Sequence, residues 1–329
     1  MAKRLQILSV LCLLWFSSCR DSSKSNDSIF LPKSTGNPLE ILLVIHEDLY
    51  EGPVGQMLLS ELQRPVLGLP QPEPAFKVVQ VEPQNFESLL KRSHLVMVVE
   101  LDTVVDAQTV KNIWARPQRV LSYKGRTPGE LMTTIEHKLK VDLVALKRFE
   151  SELIVSKLAK QKANAGKLQK KWGFEWQLPA SFQLSTNLEH VSVYWSRNRK
   201  SDQGFIVYER PLLSDSQVLG GDIIRARDSI CKLYIPGEFK GTYMTTVKEF
   251  PPVITPTEIS GLYALEARGL WEVHGDKMGG PFVSYSLFDE VKGKILVIEG
   301  FVFAPEMRKR NLIFELEAYM HSLKLKRAP

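Results

Sequence analysis

The chain is predicted to fold as an α/β domain with a mostly parallel sheet, followed by an α+β domain in which helices pack on an antiparallel sheet. Three observations carry this reading. Continuous apolar runs alternate with helical stretches over the first half, the pattern of buried strands joined by helical crossovers. In the second half apolar and polar residues alternate one by one between turn signals, as in half-buried strands. The 329 residues also exceed one typical domain.

The expected order is an export signal over 1–18, a lipidated cysteine and polar leash over 19–37, the α/β domain over 38–165 and the α+β domain over 166–329. Lys3 and Arg4 form a short positive segment before the apolar run Leu5 to Phe16. That run is shorter than the roughly 20 residues of a permanent span. It suits a removed signal. Small residues then precede Cys19 in Phe16-Ser17-Ser18-Cys19, so Cys19 is the expected lipidation site. An ordinary signal peptide with an incidental cysteine is the alternative. The leash Arg20 to Ser28 reaches about 30 Å when extended, which would keep the body near the membrane.

Ile41 to Ile45 reads as the first strand, and Gly52-Pro53-Val54-Gly55 opens a helix through Leu62. Phe76 to Val81 is a second strand, Pro83 to Arg92 a short helix, and Leu95 to Val99 a third strand. Ala107 to Trp114 suits a further helix and Gln118 to Tyr123 a fourth strand. Thr127-Pro128-Gly129-Glu130 is a helix start, with Thr127 as cap and Glu130 completing a capping box. The helix that follows carries an apolar stripe from Leu131 through Leu139 and Phe149 to Leu158. A basic stretch from Lys160 to Lys171, broken at Asn164-Ala165-Gly166, reads as a solvated helix end or as a contact to anionic lipid.

In the second half His190 to Ser196 and Gly204 to Glu209 read as strands, and Asp215 to Tyr234 as a helix interrupted at Gly220-Gly221. Tyr263 to Val273, Phe282 to Leu287 and Ile295 to Phe303 form an antiparallel meander, and Pro305 starts a terminal helix.

Net charge is +6, falling to +4 once Lys3 and Arg4 are removed. That is mild for this length and predicts no nucleic-acid partner. Of three cysteines, Cys12 leaves with the signal, Cys19 is the lipid site and Cys231 stands alone, so the mature chain has no intramolecular disulfide. Cys231 reads as a buried structural thiol.

Ligands of open α/β sheets gather beyond the carboxyl ends of the strands. There the sequence places Glu47, Asp48, Asp102, Lys124, Arg126 and Thr127, a rim that could take a small polar or phosphorylated ligand. The alternative is a loop set that is polar because it faces water. No His-Glu-x-x-His, Gly-x-Ser-x-Gly, Cys-x-x-Cys or Walker loop occurs. His274 and Asp276, in a turn with Gly275, Gly279 and Gly280, are the candidate catalytic pair, with Arg227 a third candidate. The plainer reading is a hairpin whose glycines supply positive φ. Trp195, Trp271, Tyr263, Phe282 and Tyr285 read as core or as an aromatic platform. No cofactor and no metal site are expected.

Several strings resemble a family of Bacteroidota lipoproteins, the domain-of-unknown-function family 4837. They are Leu31-Pro32-Lys33-Ser34-Thr35-Gly36, Leu69-Pro70-Gln71-Pro72-Glu73-Pro74 with Phe76, Arg225 to Ser229, Tyr234 to Gly237 and Tyr243 to Thr246. The densest are Gly269 to Trp271, Met278 to Phe282 and Glu299 to Pro305. The resemblance extends over nearly the whole mature chain. It implies a lipid-anchored envelope protein and assigns no activity. The mixed run Arg20-Asp21-Ser22-Ser23-Lys24 after Cys19 lacks the acidic residues that mark surface export in such envelopes. It therefore favours the periplasmic face, with the outer membrane the expected site and the inner membrane or cell surface the alternatives.

The resulting expectation is a non-enzymatic envelope lipoprotein that binds an envelope protein, a glycan or a small polar ligand. The alternatives are an assembly factor, or an envelope hydrolase built on His274, Asp276 and Arg227.

Overall fold

The computed structural model describes residues 31–158 and 171–325. The export signal, Cys12, Cys19, the leash, the basic residues 160–170 and the expected boundary at 165/166 lie outside the described residues.

The N-terminal half contains β1 (Glu40–Ile45), α1 (Glu47–Glu51), α2 (Pro53–Leu62), β2 (Lys77–Val81), β3 (Leu95–Leu101), β4 (Asp106–Lys111), β5 (Arg119–Gly125) and α3 (Pro128–Leu158). Its sheet has the order β2-β1-β3-β5-β4. The first three pairings are parallel and β4 runs antiparallel to β5. Alternate strand residues face opposite ways. Ile41, Leu43, Ile45, Leu95, Met97, Val99, Leu121 and Tyr123 therefore share one core with α2 and α3. On the opposite face Val44, Val96 and Val120 meet Phe86 and Trp114.

Two elements differ from expectation. Pro83 to Arg92 forms two 3-10 turns, Pro83–Asn85 and Leu90–Arg92. Ala107 to Trp114 is no helix. Residues Asp106–Lys111 return as β4, with Asp106 opposite Lys124 and Lys111 opposite Arg119. Thr109 and Val110 are β-branched and suit that edge strand.

The long helix starts as expected, with the Glu130 amide donating to Thr127 Oγ1 at 3.2 Å. The Glu130 carboxylate reaches back to the Arg126 amide (3.1 Å) rather than to that of Thr127. Two acidic residues on the apolar face of α3 have specific partners. Asp142 accepts from Tyr123 Oη at 2.6 Å and Thr109 Oγ1 at 3.0 Å.

Glu150 lies 2.6 Å from His94 Nε2, and both side chains are buried. His94 Nδ1 is 2.8 Å from the Thr35 carbonyl. With an acceptor at each ring nitrogen the imidazolium is the form that fits. Burial opposes the charge and Lys157 adds repulsion, but Glu150 and Thr35 outweigh them and the His94 pKa is raised. His94 thus ties residues 33–35, the strap that leads back toward the leash, to α3. A raised histidine pKa gives stability that is complete below about 6.5 and is lost as pH rises through the raised value. We expect His94→Gln to cost about 1.5–3 kcal/mol at pH 6, with a penalty that shrinks as pH is raised. Urea unfolding at a series of pH values checks this, and a pH-independent penalty would overturn it.

The C-terminal half contains β6 (Phe174–Glu175), β7 (Gln183–Leu188), β8 (Val191–Arg197), β9 (Asp202–Pro211), α4 (Asp215–Val218), α5 (Ile223–Tyr234), β10 (Tyr243–Thr246), β11 (Val253–Ile259), β12 (Leu262–His274), β13 (Gly279–Asp289), β14 (Lys294–Phe303), α6 (Arg310–His321) and β15 (Lys324–Leu325). Eight strands form one antiparallel sheet in the order β10-β12-β13-β14-β9-β8-β7, with β11 also pairing β12. The break at Gly220-Gly221 is present, with Gly220 at φ +84°. The terminal helix starts at Arg310, later than Pro305 suggested.

Strand alternation divides this half into two layers. Val283, Tyr285, Leu287, Ile298, Phe205 and Val207 face α6 and join the same core as the N-terminal sheet. Phe282, Ile295, Val297, Phe301, Ile206 and Tyr208 face α5 and form a second core. Trp176, fully buried, donates Nε1 to the Tyr319 carbonyl at 2.7 Å and packs edge-on against Phe205. The two halves meet along α3 and α6. Glu73, buried in the loop before β2, accepts from the amides of Lys309 (2.6 Å) and Arg310 (3.2 Å). A carboxylate from one half therefore caps the first turn of a helix in the other.

Candidate functional site

The rim residues predicted from the parallel sheet do gather at the carboxyl ends of its strands. Of these, Lys124 and Asp102 pair with each other, while Arg126 and Glu47 are engaged with other residues. Lys124 Nζ lies 2.5 Å from Asp102 and 3.0 Å from Glu100. The Lys124 hydrogen bond holds the Asp102 carboxyl down at about 2. Arg126 pairs with Glu130 at 2.7 Å, one helical turn on. The Glu47 amide donates to Glu82 at 2.6 Å, and Asp48 sits in the first turn of α1, a helix with no side-chain cap. A Cβ at Gly125 would stand 2.5 Å from the Leu131 amide nitrogen, so the chain needs glycine there to bring the start of α3 onto β5. Both cations of the rim carry carboxylates, and an anion arriving there would have to displace them.

The hairpin candidates are distributed differently from expectation. His274 is exposed at the end of β12 with its ring against Tyr243, 5.1 Å between centroids. Asp276 lies in the turn, where one oxygen accepts from the Lys277 amide at 2.6 Å. Among the three glycines of that turn only Gly275 uses positive φ (+84°). Gly279 and Gly280 belong to β13, and a Cβ at Gly280 would stand 2.0 Å from the Val302 carbonyl oxygen.

Arg227 cannot act on a substrate, because it is sealed between α5 and the sheet at 1% exposure. Its Nε and Nη2 donate to Glu299 at 2.8 to 3.1 Å, its Nη1 to Thr246 Oγ1 (2.9 Å) and Asp228 (3.2 Å), and its Nη2 also to the Met244 sulfur (3.5 Å). Phe282 lies under the guanidinium at 3.9 Å. Every N–H has a partner. Nearby Cys231 is buried too, and burial pushes its thiol up to about 12, so it is inert as a nucleophile.

The aromatic group also divides. Trp271, Phe282 and Tyr285 are buried, Trp195 is half-buried and Tyr263 is exposed. Tyr285 points to the opposite sheet face from Trp271 and Phe282. They are core residues of two layers rather than one platform.

A concavity lined by both halves lies elsewhere, between them. It is a cleft of about 410 Å³, within the roughly 300–1,000 Å³ of small-molecule sites. The end of α2 and the following loop supply Arg64 and Leu67, α3 supplies Lys140, Val144 and Lys147, β11 and β12 supply Val253, Glu266 and Arg268, and α6 supplies Arg310, Phe314 and Glu317. Strand alternation puts Glu266 and Arg268 on the same face of β12, and the register sets Tyr285 directly opposite Glu266.

Arg268 bridges two carboxylates. Its Nε and Nη2 reach Glu266 at 2.5 and 3.0 Å, and its Nη1 pairs with Glu317. Tyr285 Oη donates to Glu266 at 2.8 Å and lies 3.2 Å from His321 Nε2. Burial favours the neutral form of Glu266, but Arg268 outweighs it and the pKa is lowered. Burial also lowers the pKa of His321 and outweighs the opposing pull of Glu317 and Glu266, so the neutral imidazole is favoured.

Three cations of the cleft, Lys140, Lys147 and Arg310, form no side-chain ion pair among the described residues, although Glu317 and Glu266 act on Lys147 and Glu73 and Glu40 on Arg310 at longer range. Arg310 donates Nη1 to the Pro74 carbonyl and Nε to Asn311, both at 2.9 Å. Lys147 is exposed by surface area, yet the cleft walls crowd it and desolvation lowers its pKa. Its ammonium stands over the Phe76 ring, 6.0 Å from the centroid.

None of these cleft residues was singled out from the sequence. They come from elements and loops spread along the chain from Leu39 to Glu317. The one local signal was the pair of opposite charges at Glu266 and Arg268 within an apolar strand, which betrays a polar spot on an inward face. Among the described residues no group of three His, Cys, Asp or Glu side chains is placed to hold a metal ion. No helix there is long and apolar enough to cross a membrane.

Residues 160–322 match the family described as Domain of unknown function (DUF4837), and residues 34–157 match a second one, Domain of unknown function (DUF8532). The first match is the family that the C-terminal strings resemble. It does not reach Leu69 to Pro74, which fall in the second. No curated protein matches the chain. Solved structures that resemble it include the Ran-binding protein Mog1p of Saccharomyces cerevisiae, 11% identical over 46% of this chain and 90% of that one, with a TM-score of 0.32. Others are LpqN, involved in cell envelope biogenesis of Mycobacterium tuberculosis (11%, 46% and 82%, TM-score 0.29), and human StAR-related lipid transfer protein 5 (11%, 54% and 94%, TM-score 0.24). Similarity at this level carries no functional argument.

Proposed function

We propose that this chain, whose residues 160–322 belong to the domain-of-unknown-function family 4837, is a non-enzymatic binding protein held at a membrane by a lipid on Cys19, with the cleft between its halves as the ligand site. The observation that carries the reading is the cleft itself. It has apolar walls, a Glu266-Arg268-Glu317 bridge as a fixed polar floor, and more cations than carboxylates in its lining. Convergent polar groups in an apolar concavity are the usual form of a ligand site. Catalysis asks for more. A base or nucleophile must face substrate with a matching partner, and the histidine nearest this cluster, His321, is occupied with Tyr285.

The test is purification of the full chain from its own detergent-solubilised envelope, followed by mass spectrometry for proteins, lipids and small molecules. A small molecule that stays bound through native purification and is freed by denaturation is expected. A stoichiometric protein partner with no small molecule would overturn the reading in favour of an assembly factor.

A further inference from the structure

We propose that the ligand of the interdomain cleft is an amphipathic anion, an apolar chain ending in a single carboxylate or phosphate head, gripped by Lys147 and Arg310. This rests on the reading that the cleft is a binding site and names the chemistry it selects.

The argument starts from charge. Arg64, Lys140, Lys147, Arg268 and Arg310 line the cleft against Glu61, Glu266 and Glu317. Arg64 is paired with Glu61 at 2.9 Å and Arg268 with both other carboxylates. The positive charge that remains belongs to side chains whose ion-pairing capacity is unused. Glu317 and Glu266 act on Lys147, and Glu73 and Glu40 on Arg310, only from beyond ion-pair distance, so the lining keeps an excess of positive charge against low-dielectric walls, which is unfavourable. Desolvation lowers the pKa of Arg310 as it does that of Lys147. An anion in the cleft relieves both at once, whereas a cation would add to the strain.

The second part is the mouth. Leu67, Val144 and Val253 line the cleft and are respectively 56%, 62% and 41% exposed. They come from a loop, a helix and an edge strand, so no single amphipathic element accounts for them. A ligand that was polar throughout would leave these side chains in water. An apolar chain covers them, at about 25 cal/mol per Å² removed from water. The head then sits at the cations, with the Lys147 ammonium over the Phe76 ring and the fork of Arg310 held by the Pro74 carbonyl and Asn311.

The test is calorimetric titration of the full chain with dodecanoate and with dodecyl phosphate, each below its micelle-forming concentration, alongside dodecanol and dodecylamine. Both anions are expected to bind one to one, and whichever is tighter identifies the head as carboxylate or phosphate. Lys147 is exposed and makes no hydrogen bond or ion pair among the described residues, so Lys147→Glu should fold normally by circular dichroism and weaken both anions about tenfold or more. Lys147→Gln should fall between. Val144→Trp, which fills the mouth, should abolish binding. Dodecanol or dodecylamine binding as tightly as the anions, with the same loss in Val144→Trp, would overturn the anion class while leaving the cleft as a binding site. Absence of binding by any of the four would overturn both readings.

Discussion

Arg227→Ala is expected to cost about 3–5 kcal/mol, enough to unfold much of a protein of ordinary stability. The residue donates six hydrogen bonds, and its loss leaves Glu299 as a carboxylate at 0% exposure with no counter-charge. Burial already raises the pKa of Glu299, with Arg227 opposing that rise. Without Arg227 the carboxyl must take up a proton to stay inside, or the α5 layer must open to admit water. The loss should therefore be smaller at pH 5 than at pH 8. Arg227→Lys keeps a charge but cannot fork to Glu299 and reach Thr246 together, so it should recover only part. Replacing both partners by apolar residues of matching volume should cost much less than either alone. Urea unfolding of the single and double variants measures these terms. A single variant within about 1 kcal/mol of the parent would show that the pair is dispensable.

That network bears on why the site was hard to see in the sequence. Arg225 to Ser229 stands out as a dense run of charge on a helix, and an arginine there invites a functional reading. The sequence does not show that residue 299, one strand from the C-terminal helix, is its partner, nor that Thr246 and Phe282 close the cage. Charge on a helix facing water and charge facing a sheet look alike until the helix is docked.

Elements with strong local causes were legible. Ile41 to Ile45 and Leu95 to Val99 are apolar throughout because both faces of the parallel sheet are covered. Thr127-Pro128-Gly129-Glu130 starts a helix because capping is local. The Gly220-Gly221 break follows from a positive φ that only glycine adopts freely. Ala107 to Trp114 misled because strand-helix alternation argued for a crossover there. The segment turns back instead, and Asp106 meets Lys124 while Val110 pairs with Val120. The short strands β7, β10 and β11 were missed for a related reason. Their pairing with long neighbours stabilises them, and their own pattern carries little of it. The cleft is the extreme case, since its residues share no period and no motif and are brought together only by the docking of two halves.

Arg268→Ala is the corresponding expectation for the cleft, and its sign with pH is diagnostic. Arg268, Glu266 and Glu317 are 14 to 18% exposed, so the bridge is largely out of water. Removing the guanidinium should cost about 3 kcal/mol at pH 7, the lower end of the range for broken buried pairs because some solvent reaches the site. In the parent, Arg268 holds the Glu266 pKa below its usual value. That gives stability present above the unfolded value of about 4.5 and lost as pH falls through the folded one. In the variant, Glu266 and Glu317 face each other between apolar walls with no cation between them. Like charge and desolvation now act in the same direction and raise one of the two pKa values. Acidification from pH 7 to pH 5 should then stabilise the variant relative to the parent. Arg268→Lys keeps one counter-charge and should show neither the full loss nor the reversal. Denaturant unfolding at both pH values reads the difference. A penalty that stays constant between them would mean that the two carboxylates do not share the guanidinium, and the polar floor assigned to the cleft would lose its support.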